Sequence, residues 1–94
     1  MDRIYVTGTK GMLGRALVPI FSKRYDIFPE NLEERDIRNA DLIIDEIRNC
    51  NPRFVLHLAA MTDVDGCEKN PDEAYSTNAI GTRNVALACQ HCGA

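Results

Sequence analysis

Tryptophan is absent from the 94 residues, and no apolar run approaches the roughly 20 residues needed to cross a bilayer. The amino terminus passes straight into Ile4-Tyr5-Val6, without the charged start and apolar core of a secretory signal, so the expected location is the cytoplasm. An excess of positive charge is also missing. The formal net charge is -3, which leaves no broad basic surface to hold nucleic acid or anionic lipid by counterion release. Neither nucleic acid nor a membrane is therefore an expected partner. Repeats, low-complexity tracts and Pro/Gly/Ser-rich linkers are lacking too, which excludes repeat architectures and argues for one unit over residues 1–94.

Cysteine is present but does not form a framework. Cys50, Cys67, Cys89 and Cys92 make an even count, yet nothing secretory accompanies them. The tightest pair, Cys89-Gln90-His91-Cys92, falls late in a helical pattern. Redox C-x-x-C pairs draw their reactivity from a helix amino terminus, and zinc needs two further ligands at matching spacing. We read these thiols as incidental. Asp63, Asp65 and Glu68 resemble a cation cluster but fall in a turn, where polarity is ordinary, so no metal is expected.

Hydrophobic residues make up 45% of the chain, enough for a packed core, and their period changes along it. Residues 3–7 read as a short buried strand. The positions Met12, Leu13, Ala16, Leu17 and Ile20 follow a helical period, interrupted by Pro19, which predicts a kink or a short helix. Residues 25–29 read as a second strand, followed by a polar connection with a brief edge strand around Ile37. Asn39 caps a helix whose apolar face is Ala40, Ile43, Ile44, Ile47 and Cys50, with Asp41 at its positive end and Asn51-Pro52 as its stop.

Residues 53–60 form a nearly continuous apolar run, the mark of a strand covered on both faces. Beyond a turn over residues 61–69, Asn70-Pro71-Asp72-Glu73 carries a cap, a proline and two acids, which predicts a helix running to about Cys92, about 33 Å long. Gly93 is its stop. Strands alternating with helices give an α/β fold, a Rossmann-type doubly wound parallel sheet, truncated after about three or four strands.

Gly8, Gly11 and Gly14 follow the first strand directly and open a helix, the context required of a phosphate-binding turn. The first glycine permits the sharp exit, the second lets the main chain approach a pyrophosphate, and the third lets the helix lie on the sheet. The helix N–H groups and dipole supply the anion site. An acidic residue after the second strand would hold the adenosine ribose; Glu30 is the candidate, with Asn31 next to it. Glu30 favours NAD by repelling a 2′-phosphate, whereas Lys10 can attract one, so both NAD and NADP stay open. His57, inside the apolar run, reads as a hydrogen-bonded structural histidine rather than a general base. Ala59 and Ala60 are small enough to leave room for a ligand crossing the sheet.

The pattern Thr7-Gly8-x-x-Gly11-x-x-Gly14, Asp36-Ile37, His57-Leu58-Ala59-Ala60 and Asn78-x-x-Gly81-Thr82-x-Asn84 resembles the extended short-chain dehydrogenase/reductase superfamily. Within it, Ala59-Ala60-Met61-Thr62-Asp63-Val64-Asp65 with Glu68, Pro71, Ala74-Tyr75 and Asn78-Ala79 is most similar to the dTDP-4-dehydrorhamnose reductase family, which reduces the 4-keto group of a dTDP-linked sugar in dTDP-L-rhamnose synthesis.

The resemblance implies that residues 8–13, including Lys10, Met12 and Leu13, hold the pyrophosphate and that Asp36 and Ile37 flank the adenine. It further implies that Leu58, Ala59, Ala60 and Thr62 line the ribose and nicotinamide path, that Val64 lies near the sugar, and that Asn78 supports a proton relay. Met61 stands where tyrosine is common, and Pro19 replaces a helix former. The family's Tyr-x-x-x-Lys motif is not present, because Tyr5, Tyr25 and Tyr75 each lack a lysine four positions on. The expectation is a cofactor-binding front part of a reductase, inactive by itself, with a dTDP-sugar as the parent protein's substrate and a homodimer as a possible assembly. The competing readings are a different nucleotide-sugar epimerase or dehydratase, and a non-catalytic NAD(P)-binding regulatory module.

Overall fold

A computed structural model describes residues 1–32, 35–59 and 71–94, the side chains of residues 73 and 76 excepted. Strand β1 (Arg3–Thr7) is the middle of a three-stranded parallel sheet, flanked by β2 (Asp26–Phe28) and β3 (Phe54–His57) in the order β2-β1-β3. Its apolar sequence suits that central place, and Ile4, Tyr5 and Val6 are buried. Tyr5 sits in register with Phe28 on one side and Val55 on the other.

The connection from β1 to β2 runs through α1 (Met12–Phe21), and the return from β2 to β3 passes back across β1 through α2 (Ala40–Cys50). Right-handed crossovers in opposite directions put these helices on opposite faces. The side chains agree. The Tyr5 hydroxyl donates to Glu46 of α2, 3.3 Å away, whereas Ile4 shares a groove on the other face with Phe21 of α1 and with Phe54 and Leu56 of β3.

On the α2 face lies the core, with Tyr5, Ile37, Ile43, Ile47, Val85 and Ala88 all buried. Ile43 and Ile47 are one helical turn apart and point at α4 (Gly81–Cys92), which packs along α2. Asn39 caps α2 through its side-chain oxygen, which accepts the Leu42 N–H at 3.2 Å, and Asn51 ends it in the left-handed conformation with φ 47°. Both were legible as stop and start signals. Pro19 lies inside α1, which ends two residues later at Phe21, so the short-helix expectation holds.

Five expectations need correction. The second strand is shorter than residues 25–29, because only Asp26, Ile27 and Phe28 pair with β1. No strand forms around Ile37; that residue is in a turn, where its side chain inserts into the core and its backbone carbonyl is held by Asn84. Strand β3 ends at His57 rather than Ala60: the Leu58 N–H is shared between the Thr7 carbonyl and the Thr7 hydroxyl, and the Ala59 N–H goes to the hydroxyl. Phe54 also stays 46% exposed, so β3 is not covered on both faces by the described residues.

Lastly, the long carboxyl-terminal helix is not uniform. It comprises α3 (Pro71–Tyr75), a π-helical turn (Ser76–Ile80) and α4, which closes at Gly93 with φ 77°. The proposed cap Asn70 lies outside the described residues.

Asn84 fastens α4 to the turn after residue 36. Its amide donates to the carbonyls of Ile37 (3.0 Å) and Arg38 (3.1 Å), and it is fully buried. Asn84→Ala strands two carbonyls, and at about 1–3 kcal/mol for a buried group left unpaired we expect a loss of about 2 kcal/mol in urea unfolding. A loss below about 0.5 kcal/mol, the scale of a neutral surface change, would mean that other contacts hold the turn.

Candidate functional site

Strand order reverses at β1: the chain leaves it toward β2 and returns past it to β3. Ligands in open α/β sheets bind at the carboxyl ends of the strands flanking such a point. A cleft of about 230 Å³ lies there. Gly8 and Gly11 from the turn after β1, Leu58 and Ala59 from the end of β3, residues 35–38 before α2, and Thr77 from the π-helical turn border it. Complete small-molecule sites run to about 300–1,000 Å³, so this volume matches one phosphate-sugar unit better than a whole dinucleotide.

The floor is set by how closely backbone meets backbone. A Cβ on Gly14 would stand 2.2 Å from the Gly8 carbonyl oxygen and 2.8 Å from two main-chain atoms of Thr9. One on Gly8, whose φ is +76°, would stand 2.7 Å from the Ala59 nitrogen. Only a side chain of hydrogen fits either place. The Gly11 N–H donates to the Gly8 carbonyl at 3.2 Å, and Gly11 itself begins α1 without a side-chain cap. The N–H groups of the first helical turn lack intrahelical partners and carry the positive end of the dipole. A turn of this shape suits a phosphate. The buried Thr9 hydroxyl anchors it from the other side by donating to the Leu32 carbonyl at 2.7 Å.

Charge at the mouth is paired loosely. Arg38 forks onto Asp36 through two contacts of 2.9 and 3.0 Å, which with the Arg38 backbone N–H hold the Asp36 carboxyl below its ordinary range. Arg35 meets Glu46 at 2.7 Å, and Glu46 also receives the Tyr5 hydroxyl. Burial and that carboxylate push the tyrosine upward, so it stays protonated.

His57 lies behind the cleft rather than in it. Its Nδ1 is 2.7 Å from the Thr7 hydroxyl and its Nε2 is 3.0 Å from the Thr82 hydroxyl, while burial pulls its pKa down. The reading as a hydrogen-bonded structural histidine accords with this geometry. Burial also raises the thiols of Cys50 and Cys89, which disfavours the reactive thiolate.

The cleft brings together Gly8, Gly11, Asp36, Ile37, Leu58 and Ala59 of the predicted site residues. Lys10, Met12, Leu13, Gly14, Glu30 and Asn78 do not border it. The Met12 and Leu13 side chains are exposed, and Gly14 packs against the backbone of Gly8 and Thr9. Ala60, Thr62 and Val64 lie outside the described residues, as do Asp63, Asp65, Cys67 and Glu68. Arg35, Arg38 and Thr77 were not foreseen. The arginines flank Asp36-Ile37, a signal that was available; Thr77 depends on the π-helical turn, which no sequence pattern announced.

The sequence model of the family described as RmlD substrate binding domain matches residues 1–94. A crystal structure of dTDP-4-dehydrorhamnose reductase from Bacillus anthracis in complex with NADP is 39% identical with a TM-score of 0.88, covering 99% of this chain and 34% of that one. Curated dTDP-4-dehydrorhamnose reductases from Aggregatibacter actinomycetemcomitans and Mycobacterium tuberculosis are 34% and 36% identical over 94% and 99% of the chain. The chain spans 31% and 30% of their lengths, about a third.

Gly14→Ala and Gly11→Ala separate packing from propensity. At Gly14, inside the helix, alanine gains about 1 kcal/mol of helix preference at most, but its methyl collides with backbone that cannot move aside, a strain of about 3 kcal/mol. We expect a net loss of about 2 kcal/mol for Gly14→Ala and under about 1 kcal/mol for Gly11→Ala, an extended N-cap position where the nearest atom is 3.5 Å away. Equal stabilities in denaturant melts would contradict the close contact.

Proposed function

Because the chain belongs to the RmlD substrate binding domain family, we propose that its residues form the NADP(H)-binding front part of a dTDP-4-dehydrorhamnose reductase. The parent activity in this reading is reduction of the 4-keto group of a dTDP-linked sugar in dTDP-L-rhamnose formation. The observation that carries it is the open glycine turn, which delivers a helix amino terminus to the switch point of a parallel sheet.

When bound, the cofactor supplies the hydride; the residues present bind and orient it. Backbone N–H groups at the start of α1 take the pyrophosphate, with Gly8 and Gly11 allowing its approach. Asp36 and Ile37 flank the adenine, and Leu58, Ala59, Ala60 and Thr62 follow the ribose toward the nicotinamide. Val64 belongs with the sugar, and Asn78 supports the proton relay. The tyrosine and lysine that complete the family's chemistry are not among these 94 residues.

Arg38 favours NADP over NAD. Its pairing with Asp36 is about half exposed, and such pairs contribute only about 0–1 kcal/mol, whereas a charged hydrogen bond to a 2′-phosphate contributes about 1.5–3 kcal/mol. The exchange is favourable by about 1.4 kcal/mol, or tenfold. Glu30 is exposed after β2 and does not border the cleft.

Calorimetric titration with NADPH and NADH tests both levels. NADPH should bind about tenfold tighter, Arg38→Ala should remove that preference without weakening NADH, and Gly11→Ala should weaken both by obstructing the pyrophosphate. Absence of heat with either cofactor from folded protein would reject the reading as a whole. Equal affinities would reject only the assignment of Arg38.

A further inference from the structure

His57 has a defined proton inventory, which can be worked out from its neighbours. The Thr82 hydroxyl stands 2.6 Å from the Asn78 carbonyl oxygen, a pure acceptor, so its hydrogen is committed there. Its contact with Nε2 at 3.0 Å then requires that nitrogen to carry a hydrogen and donate. At the other end, the Thr7 hydroxyl oxygen accepts the Ala59 N–H at 3.1 Å and shares the Leu58 N–H with the Thr7 backbone carbonyl, each at 3.1 Å. With the ring hydrogen on Nε2, Nδ1 is an acceptor, and the Thr7 hydroxyl donates to it at 2.7 Å.

The direction of the whole chain is therefore fixed: Leu58 and Ala59 to Thr7, Thr7 to Nδ1, Nε2 to Thr82, Thr82 to Asn78. Moving the hydrogen to Nδ1 would set a third N–H against the Thr7 oxygen and leave Nε2 facing a hydroxyl already spent on Asn78. A doubly protonated ring fails at the Thr7 end for the same reason.

One end of this chain is a wall of the cleft, and the other adjoins one in sequence. Leu58 and Ala59 border it directly, and Ala59 nitrogen is the atom against which Gly8 is pressed. Asn78 follows Thr77, the cleft residue of the π-helical turn. Single π-turns inside α-helices recur at functional sites because the widened turn re-aims its side chains and carbonyls.

We propose that His57 is a positioning residue, a neutral ring protonated on Nε2 that ties the end of β1 and β3 to the π-helical turn and so holds the two walls of the cofactor cleft at their working separation. It touches no reacting atom. The inference rests on the proposed function only for the identity of the ligand.

The test has two readings, made on the protein as its gene encodes it. Long-range proton–nitrogen spectra of histidine-labelled protein at pH 7 report the tautomer without any ligand, and the signals lost in His57→Asn assign the ring. A single Nε2–H tautomer is expected for His57; an Nδ1–H form or a mixture overturns the hydrogen-bond chain.

NADPH affinity is the second reading. Thr82→Val, which cannot accept from Nε2, and His57→Asn, which keeps an acceptor toward Thr7 but cannot reach Thr82, should each weaken NADPH about tenfold. The double variant should lose no more than either alone, and Thr82→Ser should restore affinity. Additive losses, or unchanged affinity in folded variants, overturn the positioning role. If the unmodified protein binds no NADPH, the cofactor assignment fails together with the positioning role, while the tautomer still decides the geometry by itself.

Discussion

The distance between the Gly14 backbone and the Gly8 carbonyl governs the rest of this structure. Because nothing larger than hydrogen intervenes, α1 begins directly over the end of β1, and its unpaired N–H groups face the crevice where strand order reverses. A longer separation would tilt the helix and aim its dipole elsewhere. Thr9 reinforces the arrangement by linking the same turn to the segment after β2, so three connections meet at one end of the sheet.

Stability and site geometry come from different places. Ile43, Ile47, Val85 and Ala88 join α2 to α4 through apolar burial, which at about 25 cal/mol per Å² is the dominant favourable term in a chain of this size. That burial does not choose where the strand ends stop. The choice is made by polar groups. Thr7 draws in the N–H groups of Leu58 and Ala59 and ends β3, while Asn84 draws in two carbonyls and shapes the turn that presents Asp36 and Ile37. Thr7 both donates and accepts, and the Asn84 amide nitrogen is spent on two carbonyls while its Oδ1 is buried without a partner among the described residues, so both side chains are held mainly by their donor hydrogens.

Much of this was readable from residues whose role is local. Asn39 and Asn51 bracket α2, and Gly93 ends α4, because capping and left-handed termination depend on one side chain and its own neighbours. The glycine trio was readable for a related reason: spacing along the chain nearly determines spacing in space across a tight turn.

What could not be read depends on distant partners. Ile37 looked like a strand residue by its character, yet Asn84, 47 positions away, holds it in a turn. The π-helical turn breaks a pattern that local propensity reads as one helix, and it carries Thr77 to the cleft. Arg38 was passed over because charge in a connecting segment is usually only solvated.

The cleft thus has walls of two strengths, and the difference has a chemical use. Its floor and back are backbone contacts and buried hydroxyls, which cannot exchange partners without leaving a polar group unpaired at about 1–3 kcal/mol. Its rim is Asp36 with Arg38, largely exposed, where the same exchange costs about 0–1 kcal/mol. An anionic ligand entering from solvent can take the guanidinium of Arg38 at little cost but cannot spread the floor. In the proposed reading, such a site accepts variation at the edge where the ligand's terminal phosphate would lie and resists it where the pyrophosphate would be held, so the common part would be recognised rigidly and the choice between cofactors would fall to the exposed rim.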